Sequence, residues 1–86
     1  MIRVKVKLYG VLSDTSKSIT ETEVELNEGS IKELLTKLDE QFKENLLLKF
    51  NNKEILIFVD HREVSNLNDK LQDKSIVYIT LPAAGG

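Results

Sequence analysis

The sequence contains no cysteine, one proline, one histidine and no long apolar run. The lack of cysteine excludes a disulfide framework, a thiolate zinc site and a cysteine nucleophile, and it favours a cytoplasmic location. His61 has no second histidine or cysteine at ligand spacing, so we expect no metal site. The opening segment alternates charged with apolar residues, and we therefore expect neither a signal peptide nor a membrane span.

Charge and length narrow the classes of function further. The 86 residues have a net charge of -2, with lysines spread along the chain, which argues against a nucleic-acid-binding surface. A hydrophobic content of 41% and a charged content of 30% are typical of a folded protein. So short a chain has room for one core, and we predict a domain over residues 1–81 followed by a flexible tail over residues 82–86.

Two neighbouring segments, residues 2–8 and 20–26, alternate polar and apolar side chains with a period of two. Such alternation is typical of strands with one buried face and one exposed face. The exposed side chains are basic in the first segment and acidic in the second: Arg3, Lys5 and Lys7, then Glu21, Glu23 and Glu25. We predict an antiparallel pair with cross-strand charge matching. The basic residues are interpreted first as sheet surface and second as a partner-binding patch.

A helix is predicted after these strands. Ser30 and Glu33 have the spacing of a capping box, in which each side chain accepts a hydrogen bond from a backbone N–H at the helix start. The apolar residues that follow recur at helical spacing and predict one buried stripe: Ile31, Leu34, Leu35, Leu38 and Phe42. For the next segment, "NLLLKFNNKE", we expect a short irregular turn that closes one end of the core.

The second half of the chain predicts a hairpin and a last strand. Residues 54–64 have the pattern of a strand, a tight turn and a short return strand, with His61 in the turn because histidine tolerates positive φ. Leu67 and Leu71 are expected to reach the core from the loop that follows. Within the last strand, Ile76–Leu81, the predicted inward set is Val77, Ile79 and Leu81, and the predicted outward set is Ile76, Tyr78 and Thr80.

This order of elements predicts an α+β fold in which one main helix packs on one face of a mixed sheet. The opposite sheet face is left open. Phe58, Ile76 and Tyr78 make that face partly apolar, and an exposed apolar patch often marks a protein interface.

The element order, the length and the two glycines after the last strand resemble the ubiquitin-like β-grasp sulfur carriers. Within that group, the sequence is most similar to the family of the small subunit of molybdopterin synthase, a relative of the thiazole-synthesis carrier. The resemblance spans nearly the whole chain, through "IRVKVKLYG", "GSIKELLTKL", "IFVDHREV" and "LQDKSIVYITLPAAGG". It implies a ubiquitin-like β-grasp fold.

The resemblance also implies where the chemistry occurs. The carboxylate of Gly86 would be adenylated by a ubiquitin-activating-type adenylyltransferase that uses ATP and Mg, and then converted to a thiocarboxylate with sulfur from a sulfurtransferase. The chain would bind no cofactor itself and would act as the non-catalytic, sulfur-donating partner of the large catalytic subunit of molybdopterin synthase, in molybdenum cofactor biosynthesis. The residues expected to thread into a partner's active site are Leu81, Pro82, Ala83, Ala84 and Gly85. The residues expected to face the partner are Phe58, Ile76, Tyr78 and Thr80.

Other functions fit the same residues. Gly86 could be joined to lysines of other proteins, as in ubiquitin-like modifiers, or its sulfur could serve tRNA thiolation or thiazole synthesis. A third class is a plain interaction domain, in which the terminal glycines have no role.

Overall fold

The computed structural model describes residues 1–10 and 19–82. Within these residues lie five strands and two helices. In chain order they are β1 (Ile2–Tyr9), β2 (Ile19–Leu26), α1 (Ile31–Phe42), α2 (Leu46–Asn51), β3 (Leu56–Val59), β4 (Arg62–Val64) and β5 (Ile76–Thr80). The predicted α+β class, with one main helix on a mixed sheet, is confirmed.

All five strands form one sheet in the order β2-β1-β5-β3-β4. β1 and β5 are parallel, whereas the other neighbouring strands are antiparallel. A parallel pair cannot be joined by a tight turn, so the helices and the hairpin lie in the connection between β1 and β5. The last strand along the chain, β5, occupies the centre of the sheet because it pairs with both β1 and β3.

The register between β1 and β2 confirms the predicted charge matching. The facing pairs are Arg3 with Glu25, Lys5 with Glu23, and Lys7 with Glu21. A guanidinium nitrogen of Arg3 is 3.2 Å from the Glu25 carboxylate, and Lys7 Nζ is 3.4 Å from that of Glu21. Exposed ion pairs add little stability. Their main effect here is to favour this register, because a slip by two residues would leave one base and one acid without a facing partner.

The core lies between the sheet and the two helices. The α1 stripe is buried from Ile31 to Leu38, and Phe42 is partly buried beside it. Leu71 is buried and Leu67 partly buried against the same cluster, as predicted. The sheet contributes its inward set to this core: Val4, Val6, Leu8, Val24, Leu26, Ile57, Val77 and Ile79.

The expectation of an irregular turn after α1 is wrong, because residues 46–51 form the short helix α2. Asp39 on α1 fixes its start, since its carboxylate accepts hydrogen bonds from the backbone N–H groups of Leu46 and Leu47. Lys43 and Asn45, with φ of 59° and 58°, turn the chain between the helices. Leu46 is fully buried, so α2 also contributes to the core.

The expectation that Leu81 points inward is also wrong. Its side chain is 52% exposed, whereas Val77 and Ile79 are fully buried as predicted. β5 ends at Thr80, which is the last residue paired with both neighbouring strands. The alternation of buried and exposed side chains therefore stops one residue before Leu81.

The start of α1 contains the predicted capping interaction in a modified form. Ser30 Oγ accepts a hydrogen bond of 3.1 Å from the Glu33 backbone N–H. The Glu33 carboxylate reaches past Ser30 and accepts from the N–H groups of Asn27, Glu28 and Gly29, at 2.7, 2.8 and 2.9 Å. Gly29 makes this turn possible, because its φ is +79° and an added Cβ would lie 2.9 Å from Ile2 Cδ1.

We expect Ser30→Ala to lower the free energy of unfolding by about 1 kcal/mol, because the Glu33 N–H loses its acceptor. The measurement is the midpoint of urea unfolding with an unchanged slope. Ser30→Thr, which keeps a hydroxyl oxygen at the cap, is the control and should stay close to the parent. Equal midpoints for parent and Ser30→Ala would show that this cap contributes nothing.

Glu33 should make stability depend on pH. Its pKa is lowered from the ordinary value of 4.5, first by the hydrogen bond from Asn27 and also by those from Gly29 and Glu28. A lowered pKa in the folded state means that the stabilisation is present above about pH 4.5 and is lost as pH falls through the folded value. Glu33→Gln should therefore flatten the decline of the unfolding midpoint below that pH. Ser30→Ala, which removes no titrating group, should keep the parent slope, and an equally steep decline in Glu33→Gln would contradict the assignment.

Candidate functional site

The sheet face opposite α1, here called the outer face, carries a continuous apolar and aromatic strip on its central strands. Thr80 lies between Tyr9 and Leu56 in the register, and Tyr78 lies between Lys7 and Phe58. Ile76 begins β5 on the same face and is 37% exposed. Tyr78 and Thr80, the other two residues of β5 that were predicted to point outward, are half-buried on this face.

Tyr78 is the centre of this strip. Its ring stacks on Tyr9 at 5.8 Å between centroids and on His61 at 6.1 Å, with interplanar angles of 19° and 30°. Lys7 Nζ lies 5.6 Å from the centroid of the Tyr78 ring, within range of a cation–π contact. Phe58, His61 and Tyr78 line a shallow depression. We call Tyr9, Phe58, His61 and Tyr78 the aromatic cluster.

The hairpin between β3 and β4 brings His61 to the cluster. Asp60 and His61 form its two-residue turn with φ of 49° and 73°, which confirms the predicted turn position of His61. The turn is held to β5, because Asp60 N–H donates to the Ile76 carbonyl and the Asp60 carboxylate accepts from Ile76 N–H, both at 3.0 Å. This places the turn beside β5, where the His61 ring stacks on Tyr78.

The charge on the outer face is concentrated on the β1 side of the cluster. The pKa of Lys7 is raised above its ordinary value of 10.5, mainly by the Coulombic interaction with Tyr78 and then by the hydrogen bond with Glu21. A partner that covers the aromatic cluster would contact an apolar centre and, at its border, the Lys7 ammonium group, which is ion-paired with Glu21.

The chain leaves the sheet at the end of the central strand. Leu81 and Pro82, here called the tail base, are both exposed. Proline has no N–H to donate, so Pro82 cannot extend the β5 ladder. Leu81 approaches the backbone of Gly10, where an added Cβ would lie 4.0 Å from Leu81 Cδ1. The tail base therefore follows directly after Thr80, which pairs with Tyr9 of the aromatic cluster, and it is exposed.

Solved structures share this architecture over their whole length. A protein described as subunit 1 of a molybdopterin converting factor, from Pyrococcus furiosus, matches with a TM-score of 0.70 and 23% identity, over 96% of this chain and 100% of that one. A chain in the complex of subunits 1 and 2 of the molybdopterin-converting factor from Helicobacter pylori matches with a TM-score of 0.64 and 21% identity, over 99% and 100%. The small archaeal modifier protein 1 from Methanosarcina acetivorans matches with a TM-score of 0.67 and 19% identity, over 100% and 98%.

The chain has the ubiquitin-like β-grasp fold. The predicted fold is thereby confirmed. The sequence itself matches no protein-family model and no curated protein.

In this β-grasp domain the predicted site residues fall into two groups. Those predicted to face a partner lie together on the outer face: Phe58, Ile76, Tyr78 and Thr80. Leu81 and Pro82 form the exposed tail base, while Ala83, Ala84, Gly85 and Gly86 lie outside the described residues. The roles assigned to both groups stay predictions.

The contacts of Tyr78 with Tyr9, His61 and Lys7 were not predicted from the sequence. The only signal for Tyr9 and Lys7 was their outward position in β1. Their contact depends on the parallel pairing of β1 with β5, which neither strand's own pattern encodes.

Residues 1–10 and 19–82 of the β-grasp domain hold no group of three or more histidine, cysteine, aspartate or glutamate side chains arranged to bind a metal ion. Neither of its helices is long and apolar enough to cross a membrane.

Proposed function

We propose that the protein is a ubiquitin-like sulfur carrier whose working group is the carboxylate of Gly86. A carboxylate resists nucleophilic attack because its charge is delocalised and its oxygen is a poor leaving group. A ubiquitin-activating-type adenylyltransferase, with ATP and Mg, converts it to an acyl-adenylate and releases pyrophosphate. A sulfur nucleophile supplied by a sulfurtransferase then displaces AMP, and the tail carries a thiocarboxylate. Because this activation needs ATP, the proposal places the protein in the cytoplasm.

The observation that carries the proposal is the position of the tail base. Leu81 and Pro82 leave the central strand of a packed sheet and are exposed beside the aromatic cluster. The five residues 82–86 span about 17 Å when extended, enough to enter the active site of another protein. Gly85 and Gly86 lack a Cβ, which suits a narrow channel. The chain thus supplies reach and a rigid base, and its partners supply the catalytic groups.

The outer face supports a docking role in the same proposal. The aromatic cluster offers large side chains held by stacking contacts, and such anchors dominate many protein interfaces. We propose that it contacts the adenylyltransferase and, in alternation, the large catalytic subunit of molybdopterin synthase. In that subunit the thiocarboxylate would donate its sulfur to the pterin precursor of the molybdenum cofactor. The Helicobacter pylori neighbour, solved as a complex of subunits 1 and 2, favours this assembly.

The second candidate is a protein modifier. The Methanosarcina acetivorans neighbour is named a small archaeal modifier protein, and it shares the fold over nearly its whole length. Both candidates begin with the same adenylate and differ in the nucleophile that follows. Sulfur gives the carrier, whereas a lysine amine gives an isopeptide bond. Use of the carrier's sulfur for tRNA thiolation or thiazole synthesis would change only the final acceptor.

The lack of cysteine makes the experiment specific. The purified chain is incubated with ATP, Mg, the adenylyltransferase and a sulfur source, and then treated with iodoacetamide, which alkylates sulfur nucleophiles. A thiocarboxylate is the only such sulfur that this chain can acquire, so we expect one label, on the peptide 75–86. If the adenylate forms and the chain becomes attached to lysines, but peptide 75–86 carries no iodoacetamide label, the modifier would be favoured. Failure to form any adenylate would contradict both candidates.

A further inference from the structure

The long edge of the sheet is formed by β2. This strand has eight residues and pairs on one side only, with β1. Among residues 1–10 and 19–82, no backbone group of β2 makes a hydrogen bond to any element other than β1. We call the unpaired side of this strand the β2 edge. It contains none of the residues assigned above to docking or to the tail.

The hydrogen bonds of β1 show which residues direct their backbone groups to the β2 edge. Lys5 N–H donates to the Ser75 carbonyl, so the backbone of Lys5 is directed toward β5 and away from β2. Its partner across the ladder, Glu23, therefore belongs to a non-hydrogen-bonded pair and directs its own N–H and C=O to the β2 edge. This direction recurs at every second residue, so the set is Ile19, Glu21, Glu23 and Glu25.

The side chains of this set lie on the outer face and make the β2 edge acidic. Glu21 and Glu25 each form an ion pair with a base of β1, yet both side chains remain more than half exposed. Glu23 forms no ion pair within residues 1–10 and 19–82. A carboxylate has acceptor sites on two oxygens, so each glutamate can accept from a base on the β2 edge as well as from β1.

The same charges disfavour a second copy of the chain as the occupant of the β2 edge. Two β2 strands paired with each other would set glutamates opposite glutamates, and like charges directly opposite destabilise a sheet. Ile19 ends the acidic row beside Tyr9 and is 48% exposed. An exposed apolar side chain does nothing to protect an edge from association, but it suits contact with a partner.

We propose that the β2 edge binds an extended basic segment of a partner protein as an added antiparallel strand. The segment would place a lysine or arginine opposite each of the three glutamates and an apolar residue opposite Ile19. β1 shows the same match on the other side of β2, where a base faces each of these glutamates. Residues of the segment opposite the glutamates would exchange backbone hydrogen bonds with them, and their side chains would share the outer face.

The alternate residues of the segment would lie on the α1 side of the sheet. Thr20 and Thr22 are half-buried there, and Gln41 of α1 donates to Thr22 Oγ1 at 3.4 Å. Small β-branched side chains fit such a surface. A strand added at this edge extends the sheet sideways, so the outer face and the tail base stay open for another contact. The proposal goes beyond sulfur transfer, because a modifier would present the same edge.

The test uses the full chain and a capped peptide in which three lysines alternate with threonines and the last residue is valine. NMR titration at low salt and millimolar peptide should shift the backbone amides of β2, with little change in β4. A peptide with glutamate in place of lysine should bind roughly tenfold more weakly. N-methylation of the lysines removes the N–H groups that pair with β2 and should abolish binding, whereas N-methylation of the threonines should preserve it.

Charge reversal within the chain gives a matched pair of variants. Glu23→Lys should weaken binding of the basic peptide roughly tenfold, and a peptide with glutamate at the central lysine position should recover most of the loss. Glu63→Lys makes the same change on β4, at the opposite edge of the sheet, and should leave the affinity unchanged. Unfolding midpoints close to that of the parent show that each variant is folded.

Several results would overturn the proposal. Equal binding of the basic and acidic peptides would remove the role of charge, and equal binding of the two N-methylated peptides would remove the strand pairing. No binding of any peptide would show that the glutamates only protect the edge from association. A dimer in sedimentation that pairs β2 with a second copy would also contradict it. None of these results depends on whether Gly86 is adenylated.

Discussion

Removal of Gly85 and Gly86 is expected to abolish adenylation by the ubiquitin-activating-type enzyme while leaving the domain folded. The truncated chain ends in a carboxylate that is two residues closer to the body, about 7 Å short of the position the active site requires. Among residues 1–10 and 19–82, the buried core extends from Val4 to Ile79, and the tail base of Leu81 and Pro82 is exposed, so the unfolding midpoint should not change. The measurement is ATP–pyrophosphate exchange with the adenylyltransferase, and we expect a loss of at least a hundredfold, since the reacting group is out of reach.

The matched control is Ala83→Ser, which alters a tail side chain but keeps Gly86 at the same distance from Pro82. It should retain most of the exchange activity. A truncated chain that is adenylated as well as the parent would remove the basis of both the carrier and the modifier, and the plain interaction domain would then be favoured.

Substitution of Tyr78 by aspartate should have the next largest effect, on docking. Tyr78 contacts Tyr9, His61 and Lys7, so a short carboxylate in its place removes the centre of the aromatic cluster and places a charge on the apolar strip. Loss of a central aromatic anchor costs about 2 kcal/mol or more, which is roughly a thirtyfold weaker complex. Calorimetric titration of the large catalytic subunit and of the adenylyltransferase measures the effect on each partner.

Two variants control for charge and for ring stacking. Thr36→Asp adds the same charge on the exposed side of α1 and should not change either affinity. Tyr78→Phe keeps the ring and should weaken binding only slightly. If Tyr78→Asp binds both partners as tightly as the parent, the outer face is not the docking surface.

Local patterns in the sequence were sufficient for most of the fold. The alternating charges of β1 and β2 predict both strands and favour their pairing, and the observed antiparallel register sets each base opposite an acid. Ser30 marks the start of α1 for a similarly local reason. α2 was missed because its six residues, "LLLKFN", are too few for helical periodicity. It depends on Asp39 of the preceding helix, a contact that no local pattern contains.

The candidate site was predictable only in part, for the same reason. Alternation along β5 places Tyr78 and Thr80 on the outer face. The end of the strand is set by its pairing with β1 and β3, which the alternation does not indicate, so the inward orientation predicted for Leu81 was wrong. The stacking of Tyr9 and His61 on Tyr78 joins three distant parts of the chain.

The most direct test of the account is the mass of the last tryptic peptide of the protein purified from its own cells. Cleavage after Lys74 yields residues 75–86, which contain neither the single methionine nor any cysteine, so oxidation of sulfur side chains cannot imitate the expected change. The carrier function predicts a fraction of this peptide in which one carboxylate oxygen of Gly86 is replaced by sulfur. A peptide found only as the free carboxylate, in cells with an active adenylyltransferase and an abundant sulfur source, would contradict it.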